Sequence, residues 1–423
     1  MRSVRLLIVG GGGRGTGYAG YTTRDDKTAT VVGVAEPREF YRQRLADRHN
    51  IPPENVFADW RDAARRERFA DAVVIATPDA LHVEPAEAFA AKGYHMLLEK
   101  PMAPTLDGCR RVVRAVKDSG IIFAVCHVMR YTPYTRQVKS LLDAGAVGEV
   151  VSLQHLERVA YWHQAHSFVR GNWRNEAESS FMLLAKSCHD LDWIRYMMGV
   201  PCTRVASFGS LKHFRREEAP AGAAARCLDC GIEAACPYSA KKIYLGRVRN
   251  GDVGWPVNVL TPDVTEEGVL DALRTGPYGR CVYHCDNDVV DHQVVSMEFE
   301  GRRSASFTMT AFTGTGGRTT SIFGTHGEIQ GDGRMIRVLD YLTDEVQTLD
   351  TEQSEDSIRG GHGGGDPRLM HEFIAAVAAG DGSRLLSGAD ETLESHAIVF
   401  AAEHARRQAA VVSVQDAMPA GDR

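Results

Sequence analysis

Residues 5–15 read Arg5-Leu6-Leu7-Ile8-Val9-Gly10-Gly11-Gly12-Gly13-Arg14-Gly15, an apolar run that breaks into a glycine loop. Gly10, Gly12 and Gly15 fit G-x-G-x-x-G, the pattern of a dinucleotide site when a strand precedes it and a helix follows. The first glycine turns tightly, the second lets the backbone approach a pyrophosphate, and the third lets helix and strand pack closely. Amides at the helix N-terminus, from Gly13 and Arg14 onward, then hold the phosphates. A second β-branched run, Thr30 to Ala35, follows a short helical stretch and ends at Glu36, about where a carboxylate meets the adenosine ribose hydroxyls. Glu36 therefore favours NAD. Arg38 keeps NADP open, since it is placed either to pair with a 2′-phosphate or to begin a helix in solvent.

Outward from this loop, the first 130 residues alternate strand and helix. Strands are expected at 5–9, 30–35, 72–76, 95–98 and 121–126, with helices near 15–21, 38–48, 80–92 and 105–119. The alternation predicts an α/β fold, a parallel, doubly wound Rossmann sheet. Beyond Tyr131 come helices near 134–144 and 181–198, then long alternating runs such as Val294–Phe299 and Ser304–Thr310. These predict a second, α+β domain on a large, mostly antiparallel open sheet, so that residues 1–130 and 131–423 form two domains. Residues 212–285 read as a loop-like, cysteine-bearing insertion, and two late helices, near 367–379 and 390–407, as packing back on the body.

Composition narrows the function classes. Of 423 residues, 43% are hydrophobic, and 49 basic against 55 acidic residues give a net charge of −6 with both signs interspersed. Neither a nucleic-acid surface nor a membrane patch is indicated. No apolar stretch approaches the roughly 20 residues that span a bilayer, and the N-terminal run leads into the glycine loop rather than a cleavage site, so a cytoplasmic protein is expected. Nine cysteines are present, and Cys227-x2-Cys230-x5-Cys236 with Cys281 has metal-ligand spacing. These four are expected to hold a structural zinc, with Cys285 or His284 as substitute. The competing reading is an iron–sulfur cluster, because Cys236-Pro237 resembles a ferredoxin ending, although the spacing differs from those runs.

Five motifs in order, Gly10–Gly15, Ala35-Glu36-Pro37, Ala76-Thr77-Pro78, Glu99-Lys100-Pro101 and Cys188-His189-Asp190-Leu191-Asp192, carry a wider resemblance. The chain resembles the glucose-fructose oxidoreductase and inositol dehydrogenase family (Gfo/Idh/MocA), and the late Gly361–Asp366 stretch and the helices after it extend the likeness over nearly the whole length. The resemblance implies a nicotinamide lying over the open sheet of the second domain, with a sugar or polyol between the domains. It implies that Lys100 hydrogen-bonds the reacting oxygen and that His189 takes or gives the hydroxyl proton, a task suited to imidazole. The expected cofactor-binding set is Gly10, Gly12, Gly13, Arg14, Gly15, Glu36, Arg38, Thr77, Pro78, His82, Glu99 and Lys100. Asp190 and Asp192 are expected to orient and cap within their own helix.

One departure stands out. Many dehydrogenases of the family carry an aspartate four residues before the histidine; here that position is Ala185, followed by Lys186. If Lys186 reaches the pocket it acts as a third catalytic residue and replaces an acidic partner by a cation. Upstream, residues 158–175 concentrate Arg158, Tyr161, Trp162, His163, His166, Arg170, Trp173 and Arg174, a candidate wall for an anionic sugar or else an interface loop. Arg130 and Tyr131 join this substrate set, or close the hinge between domains.

Two enzyme mechanisms use these residues. The first oxidises a sugar hydroxyl and releases NADH. The second is a redox-neutral glycoside cleavage: oxidation at C3, deprotonation at C2, elimination at C1, addition of water and return of the hydride, with Lys186, Tyr161, His163 or His166 as the extra acid or base. A noncatalytic NAD- and sugar-binding sensor is the third reading. A small sugar or glycoside is the expected partner, and a homodimer or homotetramer the expected assembly.

Overall fold

The computed structural model describes residues 3–22, 28–353 and 361–417. Six strands, β1 (Val4–Val9), β2 (Ala29–Ala35), β3 (Val56–Phe57), β4 (Ala72–Ile75), β5 (His95–Leu98) and β6 (Phe123–Val125), form a parallel sheet in the order β3-β2-β1-β4-β5-β6. β1 pairs with β2 on one side and β4 on the other, which makes its C-terminal end the point where strand order reverses. Ligands of open α/β sheets bind in the crevice there. Helices Gly13–Tyr21, Glu39–His49, Val83–Ala91 and Leu106–Ser119 cover both faces. Val73, Val74, Leu97 and Leu98 are fully buried, as near-continuous apolar strands of a two-sided sheet must be.

The second sheet has nine strands: β7 (Val150–Arg158), β8 (Cys202–Ser210), β9 (His292–Phe299), β10 (Arg303–Thr310), β11 (Gly317–Gly324), β12 (Gly327–Gly331), β13 (Met335–Asp340), β14 (Val346–Asp350) and β15 (Val412–Ser413). Their order is β14-β13-β12-β11-β7-β10-β9-β8-β15, and only the central β7–β10 pair is parallel. One face carries the helix Cys188–Met198, with the His155 ring stacked on Trp193 at 4.9 Å. The late helix Gly365–Ala379 buries Leu369, Met370 and Phe373 in the core around β1, whereas Ala389–Gln408 packs on β8 and on the helices Leu106–Ser119 and Cys188–Met198.

Two expectations need correction. The helix expected over 181–198 breaks into Met182–Ala185 and Cys188–Met198, with Lys186 and Ser187 between them. The insertion is not loop alone: it carries the helix Glu266–Thr275 and a core of its own, in which Phe214, Tyr244 and Leu273 pack against Ala165 and Val169. The side chain of His362, in the late glycine-rich motif, lies outside the described residues.

Candidate active site

The glycine loop has the strain its role requires. Gly10 adopts φ +97°, and a Cβ there would meet the Ala76 carbonyl oxygen at 2.4 Å; a Cβ at Gly15 would stand 1.9 Å from the Gly10 oxygen. Side chains at these positions would prevent strand, turn and helix from closing together. At Gly12 the nearest atom is the far end of Arg38, at 3.4 Å, and at Gly13 nothing lies within 4 Å of a Cβ, so the outer edge of the loop stays open to a phosphate. Glu36, at the end of β2, accepts from the Gly11 amide at 2.7 Å and from Arg38 Nε at 2.7 Å. Burial opposes its charge, but these donors outweigh burial and hold the carboxyl below its ordinary range. The open edge of the glycine loop and the carboxylate at the end of β2 are compatible with a bound dinucleotide.

Other members of the expected cofactor set tie the loops together. Arg14 reaches Glu99 Oε1 and Asp366 Oδ1, each at 2.5 Å, and also donates to Tyr18. It thereby fastens the helix after the glycine loop to the end of β5 and to the late helix. Thr77 Oγ1 donates to the Leu81 carbonyl at 3.0 Å beside Pro78. The His82 ring sits between two carbonyls, Pro101 at 2.7 Å and Thr77 at 2.9 Å. With both nitrogens engaged by backbone, His82 braces two loops and is corrected from a cofactor contact to a positioning residue.

At the end of β5, Glu99 accepts from the Lys100 amide at 2.9 Å, and Lys100 Nζ donates to the Ala185 carbonyl at 2.5 Å. That carbonyl belongs to the position whose side-chain carboxylate is missing, so the helix break supplies a backbone oxygen in its place. One of three ammonium donors is thus used and two remain for a substrate oxygen. His189 begins the next helix, 5% exposed, with its ring edge-on to His127 at 5.7 Å. Behind it, Asp192 takes a bidentate pair from Arg130 at 2.8 and 2.7 Å, and Asp190 takes His155 at 3.0 Å and Arg318 at 2.5 Å. These aspartates bind partners on other elements and do not cap their own helix. Burial raises the cost of both charges, but Arg130 and Arg318 more than offset it and hold both carboxyls below their ordinary range.

Lys186 does reach the same region, but not as a bare cation. Its Nζ lies 2.9 Å from Glu157 Oε1, and Glu157 also faces Arg318 Nε at 3.0 Å. Glu157 comes from β7, where Leu153, His155 and Glu157 alternate onto the buried face. Sequence reading passed over it, although that alternation was the available signal. A carboxylate from the sheet thus stands beside Lys186. His163 completes the group: burial, and then the positive charges of Lys186 and Lys100, push its imidazole well below its ordinary range. The ring is therefore uncharged at pH 7. Its ring meets Trp255 of the insertion at 4.9 Å and Trp162 at 5.8 Å.

The rest of the expected substrate wall divides. Trp173 bridges to the first domain, its indole N–H 3.4 Å from Asp79 Oδ1, and stays partly exposed at the cleft. Arg158 ends β7, opposite Thr310 and Gly317. Tyr161 packs edge-on to Tyr238 at 6.2 Å, and Trp162 carries Arg247 over its ring at 4.6 Å. Five residues are corrected. Arg130 is spent on Asp192 and the Leu386 carbonyl, and the Tyr131 hydroxyl accepts from the Leu386 amide at 2.8 Å, so both close the hinge. His166 is stacked on Tyr278 at 4.9 Å and bonded to the Tyr244 hydroxyl at 3.0 Å inside the insertion core. Arg170 is buried against the Arg280 and Tyr238 carbonyls, and Arg174 is held at the surface by Asp286 at 2.9 and 3.0 Å. Neighbouring residues of a helix face in different directions, so a run of cations in sequence does not make a wall.

Cys227, Cys230, Cys236 and Cys281 line one cavity, yet among the described residues no three His, Cys, Asp or Glu side chains gather about a point that could hold a metal ion. The expected single-ion zinc staple is not formed. Nor is any helix among the described residues long and apolar enough to cross a membrane.

Comparison with known proteins agrees with the architecture. The N-terminal family model, an oxidoreductase family with an NAD-binding Rossmann fold, matches residues 4–127, and its C-terminal α/β partner matches residues 139–414. YteT of Bacillus subtilis (strain 168) is 24% identical over 80% of each chain. A 2,7-anhydro-N-acetylneuraminate hydratase from Mediterraneibacter gnavus is 29% identical over 47% of this chain and 50% of its own. The solved structure of levoglucosan dehydrogenase in complex with NADH and levoglucosan superposes with a TM-score of 0.71 at 21% identity, covering 98% of this chain and all of that one. The two family models together match most of the chain, and the chain belongs to the Gfo/Idh/MocA family of NAD-binding oxidoreductases.

Proposed function

We propose that this chain uses NAD to oxidise a hydroxyl-bearing carbon of a sugar or sugar derivative. The observation that carries the reading is the meeting of Lys100, Lys186–Glu157 and His163 at the carboxyl end of β5, on the side of the parallel sheet where the glycine loop opens. When bound, NAD supplies a hydride acceptor. Gly12 and Gly13 leave room for its phosphates, and Glu36 offers a carboxylate to the ribose hydroxyls, which favours NAD over NADP. Lys100 Nζ donates to the substrate hydroxyl oxygen and stabilises the charge that grows there. His189 receives the hydroxyl proton, the role the family resemblance assigns it. His163, neutral and walled by Trp162 and Trp255, lies beside aromatic faces on which a sugar ring stacks. Arg170 and Arg174 are engaged elsewhere and do not form a wall for an anionic sugar.

A second reading has a specific support. Glu157–Lys186 and His163 add a separate proton-handling group to Lys100 and His189, and one relative that matches half of this chain is named a hydratase. Redox-neutral cleavage needs such a second group to take the proton at C2 while the C1 substituent leaves. Incubation with NAD and aryl glycosides of neutral, uronic and sulfonated sugars, following reduced nicotinamide and freed aglycone together, separates the readings. NADH accumulating in step with substrate loss supports oxidation; aglycone release without NADH overturns it in favour of the second reading; tight binding of NAD and sugar with neither signal would leave a sensor. For assembly, the outer face of the nine-stranded sheet presents Phe208, 72% exposed, directly opposite Val294, and this is the face on which a second copy would sit.

A further inference from the structure

Asp79 is a carboxylate of the first domain that the second domain holds. It stands just past β4, in the tight turn Asp79–Leu81, and is only 6% exposed. Its Oδ1 accepts from the Trp173 indole N–H at 3.4 Å, and its Oδ2 accepts from the Ser179 and Ser180 hydroxyls at 3.2 and 3.3 Å. All three donors belong to one segment, residues 171–181, which has neither helix nor strand and runs into the helix Met182–Ala185. The end of that helix gives the Ala185 carbonyl to Lys100. One stretch of the second domain is thus tied to the loop after β4 and to the loop after β5.

The loop after β4 flanks the crevice. Strand order reverses between β1 and β4, and the backbone of Ala76 and Thr77 packs so closely on the glycine loop that a Cβ at Gly10 would stand 2.4 and 2.9 Å from it. The moorings of residues 171–181 differ in strength on the two sides. Arg174 forks onto Asp286 at 2.9 and 3.0 Å, the Glu176 amide donates to Asp288 at 2.8 Å, and the Glu176 carboxylate pairs with Arg407. Charge-assisted, forked bonds of this kind are the strong ones. The bonds to Asp79 are longer, from uncharged donors, and hydrogen bonds weaken with length. When the domains part, the segment therefore leaves with its own domain, and Asp79 is the contact that gives.

We propose that residues 171–181 form a strap that Asp79 latches across the dinucleotide crevice, so that NAD enters and NADH leaves only when Trp173, Ser179 and Ser180 let go. The inference rests on NAD binding and not on which substrate carbon is oxidised. It bears on both readings of the site: a latch that outlasts turnover keeps NADH for return of its hydride, and one that yields releases it. Such a latch stabilises the closed form with or without NAD. Breaking it raises the open fraction of both forms, so association and dissociation quicken together and Kd, their ratio, changes little. A residue that touches the cofactor directly has a different signature, faster dissociation with Kd weakened in proportion.

The test is stopped-flow fluorescence of NADH with the full chain, by mixing for association and by displacement with excess NAD for dissociation. In Asp79→Ala both rates should rise about tenfold, the order expected when hydrogen bonds to a charged group are lost, with Kd within about twofold of the parent. Trp173→Phe, which keeps a ring but loses the indole N–H, should raise both rates by less. Should Asp79→Ala fail to fold, Ser179→Ala combined with Ser180→Ala removes two of the three donors and reads the same rates. Dissociation quickened alone, with Kd weakened to match, overturns the latch in favour of direct contact with the cofactor. Unchanged rates in variants that still bind NADH overturn it outright. A parent chain that binds no NADH overturns the NAD reading itself, and the latch with it.

Discussion

At the scale of single residues, the proposed function assigns the chemistry to Lys100 and His189. Lys100→Met removes the donor to the reacting oxygen, and His189→Ala removes the proton acceptor; each should lower kcat by about 10²–10⁴-fold while NAD binding, followed by titration of nicotinamide or protein fluorescence, stays near that of the parent. A large loss of cofactor affinity in His189→Ala would show the histidine to be misplaced. Glu157→Gln leaves Lys186 and Arg318 facing a neutral amide at positions now 2.9 and 3.0 Å from a carboxylate. It should cost about 1–3 kcal/mol of unfolding free energy measured by urea titration and reduce turnover; unchanged values for both would mean the pair is incidental. Lys100 and His189 could be singled out in the sequence because each sits in a short motif at a strand or helix end. Glu157 could not be: strand alternation puts it on the buried face of β7, but what a single carboxylate there meets is recognisable only once the facing helix is known. Arg130, Arg170 and Arg174 were misread for the converse reason, since the sequence shows a guanidinium but not which carbonyl or carboxylate claims it.

Elements of structure position those residues. The glycine loop separates two kinds of glycine that look alike in sequence. Gly15→Ala forces a Cβ to 1.9 Å from the Gly10 oxygen and should disrupt the fold of the loop, lowering both melting temperature and NAD affinity. Gly12→Ala meets only the movable end of Arg38 at 3.4 Å, at φ −68°, and should fold normally. An at least tenfold weaker Kd for NAD in Gly12→Ala, with unchanged melting temperature, would show the backbone itself lying against the cofactor; unchanged affinity would contradict that placement. The alternation of strands and helices in the first domain was readable from buried β-branched runs, whereas β3, two residues long, has no periodicity to detect. The break at Lys186–Ser187 was hidden because apolar residues continue on both sides of it, yet it is what offers the Ala185 carbonyl to Lys100. The insertion read as loop because its core aromatics, Phe214, Tyr244 and Tyr278, are spaced without helical or strand period.

On the scale of the whole molecule, two sheets and a late helix that packs on both domains hold the cleft, and buried histidines make that assembly acid-sensitive. Burial is the main cause that pushes His127 down to about 4, and His166 and His396 to about 3. Folded-state values below the unfolded 6.5 mean that the unfolded chain binds the extra protons. Stability is therefore fully present above pH 6.5 and falls as pH drops toward 4, by about 2 kcal/mol per histidine between pH 6.5 and 5. The melting temperature should decline measurably from pH 7 to pH 5; a flat profile would contradict the burial. If the outer sheet face pairs two copies, Phe208→Glu should halve the mass seen by light scattering without altering the far-ultraviolet circular dichroism. The claim on which the rest depends is hydride transfer from a sugar carbon to nicotinamide, a step shared by oxidation and redox-neutral cleavage. Mass spectrometry of the cofactor in samples acid-quenched within the first turnover, before a redox-neutral cycle returns its hydride, using a turned-over sugar or glycoside deuterated at its ring carbons, tests that step most directly. Deuterium should appear in the reduced nicotinamide of the parent chain and be absent in His189→Ala. Substrate consumed by the parent with no deuterium in the cofactor would contradict it.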